Sequence, residues 1–211
     1  MHISLSRAHF PVTTLGPGRR VGIWLQGCSI RCPGCISSDT WATKAPQTTV
    51  RELLERVHPW LQECDGVTIS GGEPFEQPDA LEQLLRGVRA LTATSVLVYS
   101  GKSFAQLTQE PSVREGLIDC LISEPFDQSA PQTKYLMGSD NQRMNLLTPL
   151  GREVFGPLIR VSGDADRRLD VMFDEDGAVW LAGIPSRGDM ARLQLLLEGE
   201  GTYLRTTEAR A

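Results

Sequence analysis

The chain has 211 residues, the size of one compact domain or of one domain with a modest addition, and it is long enough to bury a real core. With 40% apolar residues, 22% charged residues and 20 glycines, it has the balance of an ordinary globular protein and is not a collagen, a coiled coil or a disordered chain. The net charge of −5 comes without any basic block that would track a nucleic-acid backbone, no run approaches the ~18 apolar residues of a membrane span, and Met1 to Arg20 lacks the apolar stretch of a secretory signal.

A cytoplasmic protein with no nucleic-acid or membrane partner is therefore expected. Its first strong strand is Arg20–Leu25, which ends at Gln26-Gly27 and runs directly into a cluster of cysteines. Thr49-Val50-Arg51-Glu52 has the form of a capping box, and Leu53, Leu54, Val57 and Leu61 follow at helical spacing, with Pro59 expected to kink or end the helix early. The apolar run 67–70, closed by Gly71-Gly72, reads as a buried strand. A second helix carries Leu81, Leu84, Leu85, Val88 and Leu91, and strands follow at Ser95–Tyr99 and at 117–122. Alternating strands and helices predict an α/β fold with a parallel sheet, whose ligand sites lie at the C-terminal strand ends.

After about residue 149 the pattern changes. Strands at 168–173 and 178–182 flank Asp174-Glu175-Asp176-Gly177, which predicts a β-hairpin with Val171, Phe173, Val179 and Leu181 on its apolar face. A last helix has a stripe of Met190, Leu193, Leu196 and Leu197. The chain thus divides into a core, 1–149, and a hairpin-plus-helix appendage, 150–211, packed on that core.

Three of the five cysteines, Cys28, Cys32 and Cys35, stand within the segment GCSIRCPGC. Without a secretory signal, such a cluster points to metal or redox chemistry rather than a disulfide framework. Three thiolates on one tight loop can hold three corners of an iron–sulfur cube and leave the fourth iron open to a substrate. A structural zinc site is the alternative, but it needs a fourth ligand from Cys64, Cys120, His2, His9 or His58, and none of these stands in a paired zinc spacing. Ferredoxin-type electron transfer normally uses four cysteines.

The second feature is Ser70-Gly71-Gly72-Glu73-Pro74 at the end of the next strand. Alone it reads as a turn. Beside the cysteine loop it reads as a site, in which close backbone approach exposes carbonyls to a ligand ammonium and Glu73 adds a negative charge.

A strand entering C-x3-C-x2-C, followed by a strand ending in GGEP, resembles the radical S-adenosylmethionine (radical SAM) superfamily. That resemblance implies a partial (βα) barrel in which Cys28, Cys32 and Cys35 ligate a [4Fe-4S] cluster. The open iron would bind the amino and carboxylate groups of S-adenosyl-L-methionine, with Gly71, Gly72, Glu73 and Pro74 around the amino group. Reduction by an external flavodoxin- or ferredoxin-like donor would then release methionine and a 5′-deoxyadenosyl radical.

The closer resemblance is to the activating proteins of anaerobic ribonucleotide reductase and their short single-cluster relatives. It rests on GCSIRCPGC followed by Thr40-Trp41, on SGGEPF, on SEPFDQ at 123–128 and on GSDNQR at 138–143, and spans about residues 20–148. It implies hydrogen abstraction from a protein such as a glycyl-radical enzyme; the other readings are a stand-alone enzyme acting on a peptide or small molecule, and a non-catalytic iron–sulfur or zinc module. Where many superfamily members have an aromatic residue before the third cysteine, this chain has Gly34, so Trp41 and Tyr99 become candidates for holding adenine and Ser100 for the ribose hydroxyls. The chemistry of GSDNQR suggests only a loop held by Asn side-chain bonds to its own backbone. The resemblance does not explain residues 150–211.

Overall fold

The β-branched runs and apolar helical stripes assemble around one mixed sheet. The computed structural model describes residues 1–173 and 179–201. In chain order come β1 (His2–Ile3), β2 (Leu5–Val12), β3 (Arg20–Leu25), β4 (Thr48–Thr49), α1 (Val50–Leu61), β5 (Gly66–Gly71), α2 (Pro78–Leu91) and β6 (Ser95–Tyr99). Then follow α3 (Phe104–Leu107), α4 (Pro111–Arg114), β7 (Cys120–Ser123), β8 (Arg143–Leu146), α5 (Pro149–Phe155), β9 (Leu169–Phe173), β10 (Val179–Gly183) and α6 (Asp189–Gly199). The main sheet has the order β2-β3-β5-β6-β7-β8; β3, β5, β6 and β7 run parallel, and β2 and β8 are antiparallel edges. This is an α/β fold with a mostly parallel sheet. Among the described residues no helix is long and apolar enough to cross a membrane.

Strand alternation sends side chains to two different cores. Val21, Ile23, Leu25, Val67, Ile69, Val96 and Val98 pack under α1 and α2, which present Val50, Leu53, Val57 and Leu61 and Leu81, Leu84, Leu85 and Val88. Each such side chain contributes roughly 1.5–3 kcal/mol by leaving water. The opposite face is covered by two clusters. Leu97, Cys120 and Ile122 meet Leu136, Met137 and Phe155, while Val12, Leu15 and Trp24 meet Met172 and Ala182 of the β9–β10 hairpin. On this face, at the start of β3, Arg20 is fully buried and gives its guanidinium to Thr68 Oγ1, Ser95 Oγ and the carbonyls of Pro17, Val67 and Ser95. With only neutral acceptors around it, burial lowers its pKa to about 10.

Several sequence expectations need correction. Pro59 does not end α1: the helix runs to Leu61, because a proline in the last turn removes only one ladder bond. The strand expected over 117–122 begins only at Cys120; Leu117 N–H instead bonds to Ser112 O and Asp119 N–H to Val96 O. Leu91 is exposed, one turn beyond the packed stripe of α2. In the hairpin the phase is reversed. Val171, Phe173 and Val179 face solvent, Phe173 being 73% exposed, whereas Met172 and Ala182 are buried. Leu196 is likewise exposed, leaving Met190 as the buried anchor of α6. The expected turn 174–177 lies outside the described residues.

Candidate functional site

β3 ends against the end of β5 in parallel register, Trp24 beside Ser70 and Leu25 beside Gly71, so the cysteine loop and the glycine loop leave the sheet side by side. The cysteine loop is closed at its base, where Gly27 N–H bonds to Thr40 O at 2.7 Å and Cys28 N–H to Trp41 O at 3.1 Å. Glu76, just past the glycine loop, accepts bonds from Ser29 N at 2.9 Å and Ser29 Oγ at 2.5 Å and pins the loop's first turn. Cys28, Cys32 and Cys35 are partly buried and line one cavity of about 230 Å³ together with Ser70, Gly71, Gly72 and Glu73.

Burial pushes all three thiols above their ordinary pKa. N–H groups pull the other way: those of Ile30 and Arg31 bear on the Cys28 sulfur, that of Phe126 on Cys32, and those of Ser37 and the Trp41 indole on Cys35. These donors favour the thiolate, the form that ligates iron, so the residues present fit a thiolate-held cluster. Among the described residues no three His, Cys, Asp or Glu side chains converge tightly enough to hold a single metal ion. Cys64 lies away from the cavity against Leu61 O and Thr94, and Cys120 is in the β7 core with its pKa pushed up to about 12 by burial. Neither supplies the fourth ligand that structural zinc needs.

The glycines are required by the approach of two backbones. Gly71 has φ +105°, and a Cβ there would sit 2.4 Å from Leu25 O; at Gly72 it would sit 2.1 Å from Gly27 O. Gly72 N–H and Glu73 N–H bond to those same two carbonyls, each at 2.8 Å. The Glu73 side chain does not stand open beside the loop. It is 1% exposed and accepts from Phe75 N at 3.0 Å, Ser100 Oγ at 2.8 Å and Gly101 N at 2.8 Å, joining the ends of β5 and β6. Ser100 also accepts from Lys102 N at 3.1 Å, so its hydroxyl is engaged on both sides. Pro74 is buried at the start of a short 3-10 turn and does not line the cavity.

Burial raises the pKa of Glu73 against these bonds, which predicts a pH dependence. An acid whose folded pKa is raised contributes stability that is fully present below the unfolded pKa and is lost as pH rises through the folded value. The stability of wild type relative to Glu73→Gln, measured by urea unfolding, should therefore decrease from pH 4.5 to pH 7. An advantage that grows with pH would mean that the three donors outweigh burial.

The GSDNQR segment has a role that its chemistry alone did not reveal. Asn141 Nδ2 donates to Pro125 O at 2.8 Å, a distant carbonyl rather than its own backbone; Asp140 accepts from Thr133 N and Oγ1, each at 2.7 Å; and Gln142 Oε1 accepts from Gly138 N at 2.8 Å. Together they fix the loop that carries Phe126 to Cys32 and Gln128 against Gly34. Tyr99 lines the cavity but gives its hydroxyl to Leu136 O at 3.1 Å.

Sequence reasoning missed the far wall of the cavity, built by Leu181 to Arg187 and Met190. Gln132 Nε2 donates to Pro185 O at 2.9 Å, and Arg187 donates to Asp127 O and Ala130 O, tying that wall to the loop before β8. On the other side Arg7 pairs with Asp39 at 2.6 Å and lies over the Trp180 ring at 4.2 Å, linking β10 to the end of the cysteine loop. Asp39, four residues past the cluster motif GCSIRCPGC, is a local signal for that link.

Compared with known protein families, residues 14–145 match the model described as 4Fe-4S single cluster domain. The chain belongs to that family. Among curated relatives of this single-cluster protein is the anaerobic ribonucleoside-triphosphate reductase-activating protein of Enterobacteria phage T4, 29% identical over 136 residues, covering 61% of this chain and 85% of that protein. The protein of the same name from Salmonella typhi is 27% identical over 143 residues, 64% of this chain and 93% of its own length. The pyruvate formate-lyase-activating enzyme of Staphylococcus epidermidis is 39% identical over 84 residues, 37% of this chain and 34% of that protein. The motif resemblance to the radical SAM superfamily is borne out, and the chain is an enzyme of that type. The family match ends at residue 145, so the wall formed by 181–190 lies outside it.

Proposed function

We propose that the chain is a radical-generating activase in which Cys28, Cys32 and Cys35 hold a [4Fe-4S] cluster and the backbone of Gly71 and Gly72 receives the amino group of S-adenosyl-L-methionine. The observation that carries this reading is the register of β3 and β5, which puts three cysteines and the glycine loop on one cavity wall. When bound, these groups supply reductive cleavage of the sulfonium C–S bond to methionine and a 5′-deoxyadenosyl radical, using one electron from an external flavodoxin- or ferredoxin-like donor. Glu73 and Ser100 shape the pocket by fixing the β6 loop, Pro74 starts the turn that carries Glu76 to Ser29, and Leu181, Ile184 and Met190 give the far wall apolar surface that disfavours water. In this reading the sheet is a partial (βα) barrel, 1–149 are its core and 150–211 an appendage that closes one side.

The relatives' names, which refer to a ribonucleotide reductase and a formate-lyase, support a glycyl-radical enzyme as the partner. The wall at 181–190 favours a second reading, a stand-alone enzyme acting on an extended peptide or small molecule. Both require the same first step. Anaerobically reconstituted protein with about four irons per chain should form 5′-deoxyadenosine and methionine in equal amounts when reduced with dithionite, even without substrate. A fully loaded protein that binds S-adenosylmethionine yet yields neither product is not a radical SAM enzyme.

A further inference from the structure

Trp41 closes the cysteine loop at its base, and its indole Nε1–H is buried with no hydrogen-bond partner of the ordinary kind among the described residues. Buried indole N–H groups normally find an acceptor. Trp41 and Cys35 line the same cavity, and the Cys35 sulfur is the group on which the indole bears. The backbone of the same residue is fixed at the base of the loop: Trp41 O accepts from Cys28 N at 3.1 Å and Trp41 N–H bonds to Ser38 O at 3.2 Å. Trp41 therefore joins the first proposed ligand through its backbone and the third through its side chain.

A neutral thiol is a poor acceptor, whereas an iron-bound thiolate carries negative charge and is a good one. A buried indole N–H without an ordinary partner among the described residues is therefore suited to a sulfur that ligates iron. We infer that Trp41 is a positioning residue whose indole N–H donates a hydrogen bond to the Cys35 thiolate and raises the reduction potential of the cluster. The inference rests on the cluster reading above. Its sign follows from charge: one-electron reduction makes the cluster more negative, so a donor at a ligand sulfur stabilises the reduced form more than the oxidised form. This role differs from that of an adenine-stacking face, which would leave the N–H without a function.

The test compares anaerobically reconstituted wild type with Trp41→Phe, which keeps an aromatic ring and removes the donor. Both should hold the same iron and sulfide, and potentiometric titration followed by the electron-spin signal of the reduced cluster should place the variant's midpoint at a more negative potential. In parallel, wild type carrying 15N-indole tryptophan should show a nitrogen hyperfine coupling to the reduced cluster that is absent from Trp41→Phe. If the variant loses its cluster, the wild-type coupling still decides. Equal midpoints at equal iron content, or no nitrogen coupling in loaded wild type, overturns the inference and leaves the cluster reading intact; wild type that never holds a four-iron cluster overturns both.

Discussion

Serine in place of Cys28, Cys32 or Cys35 is expected to reduce the iron content of anaerobically reconstituted protein from about four atoms per chain to near zero. The expectation follows from the arithmetic of ligands. Three thiolates already leave one iron without a protein ligand, and removing another leaves two corners of the cube unheld. A serine hydroxyl is a hard, weakly acidic donor that does not replace a soft thiolate. None of the three side chains belongs to the hydrophobic clusters, so each variant should keep its fold, as checked by circular dichroism. Cys64→Ala and Cys120→Ala make the opposite pair of controls. Both sulfurs are buried away from the cavity, so these variants should keep full iron while losing roughly 1 kcal/mol of stability to the small void left behind. Iron retained by Cys32→Ser, or lost from a well-folded Cys120→Ala, would falsify the ligand assignment.

How much of this was legible in the sequence depends on whether one or two patterns competed at a position. β3 and β6 carry short apolar segments rich in Val and Ile, Val21 to Leu25 broken only by Gly22 and Val96 to Tyr99 unbroken, and their bounds are the expected ones. The Thr49–Glu52 capping box is local chemistry and forms as written, with Thr49 N–H donating to Glu52 Oε2 at 2.8 Å. The adjacency of the cysteine and glycine loops also follows from local signals, since successive parallel strands place their C-terminal loops together. The hairpin is different. Val171, Phe173, Val179 and Leu181 offer one apolar face and Met172, Trp180 and Ala182 offer another, so a period of two cannot choose; contact with Val12, Leu15 and Trp24 chose the second. Glu73 likewise has a sequence position beside the glycine loop, but the direction of its carboxylate was set by Ser100 and Gly101, which only the folded chain brings to it.

Deletion of residues 164–211 is expected to convert the protein from a soluble species into aggregate. The hairpin it removes covers Val12, Leu15 and Trp24, all buried in the intact chain, and Trp180 covers Arg7. Baring such a cluster on the face that also lines the cavity creates an apolar patch of the kind that drives association. A point variant separates this covering role from a role at the site. Asp170 anchors the hairpin by accepting from Thr13 N at 2.6 Å, Thr13 Oγ1 at 2.8 Å, Thr14 N at 3.0 Å and Thr14 Oγ1 at 2.9 Å. Asp170→Ala should cost roughly 2 kcal/mol, within the range for hydrogen bonds to a charged group in a partly exposed setting, and leave a soluble protein with its iron. Sedimentation and iron analysis of the two proteins test the pair of expectations. Because the hairpin lies outside the residues matched by the family, a deletion variant that stayed soluble, kept its cluster and still cleaved S-adenosylmethionine would remove the covering role and leave the wall as an element that selects the substrate. Aggregation of the deletion variant beside a soluble Asp170→Ala would show that the added segment completes the core, and that the same packing sets the far wall of the cavity.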